Sequence, residues 1–161
     1  MANFIDKAKQ QIDEIINSAY AAAQKKGTLP EGERLTGVVE IPRDTANGDY
    51  AANYAMTAAR ALHMAPKKIA EAICAEADLT GTYFEKMETA GPGFINFFLG
   101  QKWYGDVLKN VSDEGADFGR CNIGGGERVM VEFVSANPTG PMTIGNARGG
   151  VLGDTLASVL E

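Results

Sequence analysis

The run RVMVEFVS, Arg128–Ser135, limits the architecture of this chain more than any other stretch. It is apolar almost throughout, so a strand made from it needs cover on both faces, as in the interior of a parallel sheet flanked by helices. A glycine-rich loop follows, NPTGPMTIGNARGG from Asn137 to Gly150, and then the helix-like tail GNARGGVLGDTLASVLE. Strand, glycine loop and helix make up one half of a nucleotide-binding unit. One strand and one helix cannot bury both faces of a sheet, so residues 128–161 read as the truncated start of a Rossmann-like catalytic domain. The expectation is a fragment of a longer protein.

Upstream the pattern changes. From Asn3, an N-cap residue, Ile5, Ala8, Ile12, Ile15, Ile16, Ala19 and Ala23 recur three or four apart until Gly27, which predicts an amphipathic helix. Thr36–Arg43 is β-branched and ends beside a proline, a short strand. Asp49 is placed to cap a second helix through AANYAMTAARALHM, and Pro66 suits the first turn of a third, PKKIAEAICAEA. Two strand-like runs flank Gly91-Pro92-Gly93 in FEKMETAGPGFINFFL, and a fourth helix spans roughly Lys102 to Val111 around Trp103. The expected fold of residues 1–115 is therefore α+β, an antiparallel sheet packed by helices. Glycine and polar residues crowd GADFGRCNIGGGE, so residues 116–127 read as a linker. No internal repeat or low-complexity tract interrupts the chain.

Charge narrows the function classes. A formal net charge of -6 over 161 residues argues against gripping nucleic acid by general counterion release, and leaves only a local basic patch for that purpose. The start MANFIDKAKQ lacks the apolar core of a signal peptide, and no apolar run approaches the roughly 20 residues that cross a bilayer, so the expected location is cytoplasmic. Cys74 and Cys121 form no C-x-x-C pair and have no histidine at ligand spacing, which predicts free thiols and no metal site. His63 is the only histidine and has no nucleophile motif near it, so a Ser-His-Asp triad is not expected.

The glycine loop lets backbone N–H groups at a helix start face an anion such as a nucleotide phosphate. It is neither G-x-G-x-x-G nor a Walker A loop, since no terminal Gly-Lys-Ser/Thr is present. On spelling alone, a tight turn and close helix packing explain the glycines as well as a ligand does.

VEFVSANPTGPMTIGNARGG resembles the signature region of class I aminoacyl-tRNA synthetases, in particular the bacterial arginyl enzymes. PRDTANGDYAANYAM, KKIAEAI and AGPGFINFFL resemble, in the same order, that family's additional N-terminal domain, which contacts the outer corner of tRNA. The resemblance implies that the complete protein is an arginine-tRNA ligase. Such a protein activates arginine with ATP and Mg2+ and charges tRNA(Arg), and the expected state is a monomer. The present piece, lacking the second signature loop and the anticodon-binding helices, is expected to be inactive alone. A freestanding RNA-binding or interaction module with no catalysis is the alternative.

The same resemblance implies roles for individual residues. Glu132 and Asn137, with Ser135 beside them, would hold arginine, for which a carboxylate is suited because it takes a guanidinium bidentately. Read from the residues alone, Asn137 is equally a turn residue before proline and Ser135 a loop hydroxyl, while a carboxylate such as Glu132 inside so apolar a run is costly without a partner, which favours function over a place at the sheet rim. The His-Ile-Gly-His type tetrapeptide of the family, with histidine first and last, is here Thr143-Ile144-Gly145-Asn146. Thr143 offers a hydroxyl but no imidazole, and the tryptophanyl enzymes look similar at this spot. Thr143 and Asn146 would act on the phosphates and nucleotide of ATP, with Gly140 and Gly145 admitting ATP close to the backbone. Arg148 and Asp154 read as surface or packing residues. In the N-terminal module Phe94 and Asn96, two apart and so on one face of a strand, would read the tRNA D-loop by stacking and base-edge hydrogen bonding. The residues alone also allow Phe94 to be core, like Phe97 and Phe98. Arg43, Lys67 and Lys68 would meet phosphates or simply form a solvated face, and a basic patch is expected near Phe94 and Asn96.

Overall fold

The structure, a computed structural model, describes residues 4–161, so the expected N-cap Asn3 lies outside the described residues. The chain divides into two compact units, Met1–Phe118 and Gly119–Glu161.

The first unit is α+β. Helix α1, Phe4–Lys25, buries Ala8, Ile12, Ile15, Ile16, Ala19, Tyr20 and Ala23, the stripe its periodicity predicts. Ile5 departs from the pattern and is half exposed. Each buried isoleucine contributes about 1.5–3 kcal/mol relative to exposure. Gly27 ends the helix at φ +74°, and the Thr28 N–H donates to the Ala23 carbonyl at 2.9 Å, satisfying an end carbonyl that the helix leaves unpaired.

Four strands follow, interleaved with helices: β1 Val39–Glu40, β2 Tyr50–Ala52, α2 Tyr54–Leu62, α3 Pro66–Glu76, β3 Phe84–Ala90, β4 Phe94–Leu99 and α4 Gln101–Glu114. The sheet order is β1-β2-β4-β3, antiparallel at every pairing. The strand expected over Thr36–Arg43 shrinks to two residues, because only Val39 and Glu40 meet partners, Ala52 and Ala51. Asp49 caps no helix. Its N–H donates to the Phe97 carbonyl at 2.9 Å and its carboxylate accepts from the Leu99 N–H at 2.8 Å, so it clamps β4. Asn53 occupies the N-cap position of α2 instead. Pro66 opens α3, as its missing N–H favours. His63 lies at the C-terminal end of α2 with φ +50°, where it ends the helix.

Register decides which side chains meet. Opposite residues of an antiparallel pair share a face, so Tyr50, Ala52, Ile95 and Phe97 point to one side with Met87 and Thr89. That side packs on α2 and α3, and α1 packs on α3; Ile95, Phe97, Ile69 and Ile73 are fully buried in this core. Phe84 meets Phe97 edge to face at 5.2 Å between ring centroids. The opposite side carries Glu40, Ala51, Asn96 and Glu88 in one row across the sheet, with Phe94 and Phe98 on β4.

The second unit holds helix α5, Ile144–Leu160. The expected strand RVMVEFVS is absent: residues 128–134 pair with nothing among the described residues, and a strand exists only through a partner's ladder. The run is also broken at Val134, which takes φ +57° and turns so that the Ala136 N–H meets its carbonyl at 2.9 Å. Phe133 lies against Gly153 of α5, where any Cβ would fall 2.2 Å from its ring, so this contact requires glycine. Most apolar residues of this unit, including Met130, Val151, Leu152 and Val159, are exposed. Among the described residues no helix is long and apolar enough to cross a membrane.

Candidate functional site

Polar side chains in the first unit are mostly committed to the fold. Asn17 brackets Leu35, accepting from its N–H at 2.8 Å and donating to its carbonyl at 3.3 Å. Asn53 accepts from the Val38 N–H at 2.8 Å, and Thr57 donates to the Thr36 carbonyl at 2.5 Å. Asp13 pairs with Arg34 and accepts from the Tyr54 hydroxyl at 2.9 Å. Burial first, and then Asp13, push that hydroxyl up to about 12. These bonds strap the irregular segment between α1 and β1 to the helices.

The open face of the sheet is different. There a cleft of roughly 320 Å³ is lined by Glu40, Pro42, Arg43, Asn47, Ala51, Ala90, Gly91, Phe94 and Asn96. No hydrogen bond or ion pair among the described residues engages the side chains of Glu40, Arg43, Asn47 or Asn96. Asn96 is nonetheless 2% exposed, and Ala51, beside it in the row, is 6% exposed. Among the described residues, the buried side-chain atoms left without a partner are Tyr83 Oη, Trp103 Nε1 and Asn110 Oδ1; the Asn96 amide is not among them and keeps a small contact with solvent in the cleft. Phe94 is half-buried at the cleft wall.

The local sequence explains the convergence. Gly48 takes φ +85° with the Phe97 carbonyl only 2.7 Å from where a Cβ would stand, so the segment before β2 runs tight against β4. A single 3-10 turn, Thr45–Asn47, capped by Asp44 accepting from the Ala46 N–H at 2.9 Å, sets Asn47 at the rim. In the β3–β4 turn Gly93 serves packing, since a Cβ there would strike Pro66 at 2.6 Å, whereas a Cβ on Gly91 would meet nothing within 4 Å.

The sequence-derived residues are thus gathered in part. Phe94, Asn96 and Arg43 line one cleft, whereas Lys67 and Lys68, exposed at the start of α3, do not line it. The expected basic patch is corrected to a mixed one. Arg43 faces the cleft with Glu40, and Lys86 on neighbouring β3 is paired to Glu88 at 2.6 Å. Glu40, Asn47 and Ala51 escaped the sequence reading. The alternation of β1 and β2 carried a signal for Glu40 and Ala51, but only the pairing of β2 with β4 brings them beside Asn96.

In the second unit two pairs form. The Ser135 hydroxyl donates to the exposed Glu132 carboxylate at 2.6 Å. Thr143 and Asn146 form a capping box: Thr143 Oγ1 accepts from the Asn146 N–H at 3.3 Å, and Asn146 Oδ1 accepts from the Thr143 N–H at 2.9 Å and hydroxyl at 2.7 Å. That reciprocal cap, legible as Thr-x-x-Asn, went unread in the sequence. Asn137 and Gly140 are exposed, and a Cβ on Gly140 would meet nothing within 4 Å, so packing does not demand glycine there. Cys74 is half-buried, and burial pushes its thiol up to about 11; Cys121 is exposed. Neither forms a disulfide. No cluster of metal-ligating side chains occurs among the described residues.

Fold and cleft define the class: an antiparallel α+β module with one sheet face packed by helices and the other bordering a polar cleft. The chain belongs to the family of arginyl tRNA synthetase N-terminal domains, which residues 6–99 match. It is 48% identical over 161 residues to the arginine–tRNA ligase of Acetivibrio thermocellus, spanning 100% of this chain and 28% of that protein. To the arginine–tRNA ligase of Caldanaerobacter subterraneus subsp. tengcongensis it is 50% identical, spanning 100% and 29%. The chain therefore spans less than a third of the length of these relatives. The solved arginyl-tRNA synthetase of Plasmodium falciparum shares its fold with a TM-score of 0.52, at 22% identity over 90% of this chain and 27% of that one.

Proposed function

We propose that this chain is the N-terminal portion of an arginine–tRNA ligase, whose complete form activates arginine with ATP and Mg2+ and charges tRNA(Arg) in the cytoplasm. Identity along the whole chain to proteins of that name supports this reading. Residues 1–115 form the tRNA-contacting domain, residues 116–127 the linker, and residues 128–161 the first strand-loop-helix unit of a Rossmann-like class I catalytic domain. Further strands would give the apolar run at residues 128–134 the ladder that a strand requires. Glu132, Ser135 and Asn137 serve arginine; Gly140, Thr143, Gly145 and Asn146 serve ATP. The capping box makes Thr143 and Asn146 a rigid start to α5, and the free N–H groups of that first turn suit a phosphate. Catalysis by positioning and phosphate electrostatics cannot be assembled from these few groups, so the chain alone does not form arginyl adenylate.

The observation that carries the reading in the first unit is the cleft where Phe94, Asn96 and Arg43 meet with no intramolecular partner for their polar atoms. A half-buried ring beside an unpaired amide suits an unstacked nucleotide of the tRNA D-loop, with Arg43 on a phosphate. The test is binding of this chain to tRNA(Arg) and to the same tRNA with an altered D-loop, across a salt series. Discrimination that disappears in both Phe94→Ala and Asn96→Ala is expected. Equal binding of both tRNAs by the unaltered chain would reject autonomous reading by this domain.

A further inference from the structure

A carboxylate is out of place on a surface that receives RNA, because it repels the phosphates that supply most of the affinity. Glu40 nevertheless lines the cleft, exposed and without an ion-pair partner, in the row Glu40, Ala51, Asn96, Glu88. Nothing in the fold requires it. Its strand is two residues long, its neighbour Val39 supplies the contact with the core, and no bond within the protein uses its oxygens. Arg43 shares the cleft without neutralising it, since no ion pair joins the two. Glu88, at the far end of the row, is by contrast held by Lys86 at 2.6 Å.

An ionised carboxylate is acceptor-only: Glu40 is exposed and hydrated in the free chain, and a nucleotide seated against it must replace that water with a donor of its own. Ala51, between Glu40 and Asn96, is buried at the floor of the cleft, and Glu40 stands exposed at its edge beside Phe94 and Arg43. Resting on the RNA-binding reading given above, we propose that Glu40 is a specificity-determining residue. Its charge lowers the affinity of the cleft for RNA in general, and the cost is recovered only by a nucleotide presenting a hydrogen-bond donor to it. The donor is either an exocyclic base amine or a ribose 2′-hydroxyl. Specificity here comes from rejecting wrong nucleotides as much as from holding the right one. The amide of Asn96 can pair with many base edges, whereas an ionised carboxylate tolerates no acceptor opposite it.

The experiment compares the unaltered chain with Glu40→Gln, an exposed change that keeps the side-chain shape. Three RNAs are titrated: tRNA(Arg), tRNA(Arg) with uridine at the D-loop positions to remove base amines, and tRNA(Arg) with 2′-deoxy sugars in the D-loop. The unaltered chain should discriminate against one of the two altered RNAs, which identifies the donor. Glu40→Gln should bind that altered RNA about three- to tenfold more tightly than the unaltered chain does, with tRNA(Arg) affinity changing less, so that discrimination shrinks. A destabilised fold would instead weaken all three. An unchanged discrimination ratio in Glu40→Gln overturns this role for Glu40. If Phe94→Ala and Asn96→Ala abolish discrimination while Glu40→Gln does not, the RNA reading stands and this inference alone fails. If the unaltered chain discriminates against neither altered RNA, both fail together.

Discussion

Strand β4 presents two chemistries on alternate residues. Ile95 and Phe97 face the helices and are completely buried, while Phe94 and Asn96 face the open side and line a cleft. On the first face every neighbour is supplied by the chain itself. On the second, the side chains of Asn96 and Asn47 at the cleft form no hydrogen bond among the described residues, whereas the amides of Asn17 and Asn53 are held by three backbone bonds and one. One face is explained by folding, and the other is the face to which the proposed function assigns its ligand.

The largest test of that contrast is truncation on the packed face. Phe97→Ala should cost about 3–5 kcal/mol of unfolding free energy by chemical denaturation, because a large ring leaves a cavity between sheet and helices. A loss below about 1 kcal/mol would mean that the face is not the core. Next comes a bonded amide against a free one. Asn17→Ala should cost about 1–3 kcal/mol, since the Leu35 N–H loses its acceptor. Asn96→Ala should stay within about 0.5 kcal/mol in the same denaturation series while weakening tRNA binding.

A smaller effect concerns pH. The Tyr54 hydroxyl titrates near 10 in the unfolded chain and is pushed up to about 12 in the fold, by burial and then by Asp13. A raised value means the folded state holds its proton longer. The stabilisation is therefore complete below about pH 10 and lost as pH rises toward about 12. Thermal unfolding of Tyr54→Phe should show a shallower fall across that window than the unaltered chain, and parallel curves would remove Tyr54 from the account. The least effect on the fold is at α5: Thr143→Ala removes its cap and should reduce local helix protection in hydrogen exchange by about 1 kcal/mol, without moving the first unit's transition.

Much of this was legible in the sequence. The spacing of Ala8, Ile12, Ile15, Ile16 and Ala19 marks α1, Pro66 marks the start of α3, and Gly91-Pro92-Gly93 marks the turn between β3 and β4. Phe94 and Asn96 could be placed on one face because strand periodicity is strictly two. What was not legible depended on pairing. Asp49 looks like a helix cap, but tertiary contact gives its carboxylate the Leu99 N–H, a bond between residues fifty apart. Glu40, Asn47 and Ala51 reach the cleft only because β2 pairs with β4 across two intervening helices. Arg128–Ser135 has strand composition without a strand, since composition supplies the apolar surface and not the neighbour that a ladder needs.

The central claim is that the free amides, and not the bonded ones, are the ligand-facing groups. The most direct measurement follows the side-chain amide resonances of asparagine in labelled chain as a D-arm hairpin of tRNA(Arg) is titrated in. The account predicts that Asn96 and Asn47 shift in a saturable manner while Asn17 and Asn53 stay in place. Shifts at Asn17 and Asn53 with Asn96 unmoved would place the RNA on the helical side and contradict it.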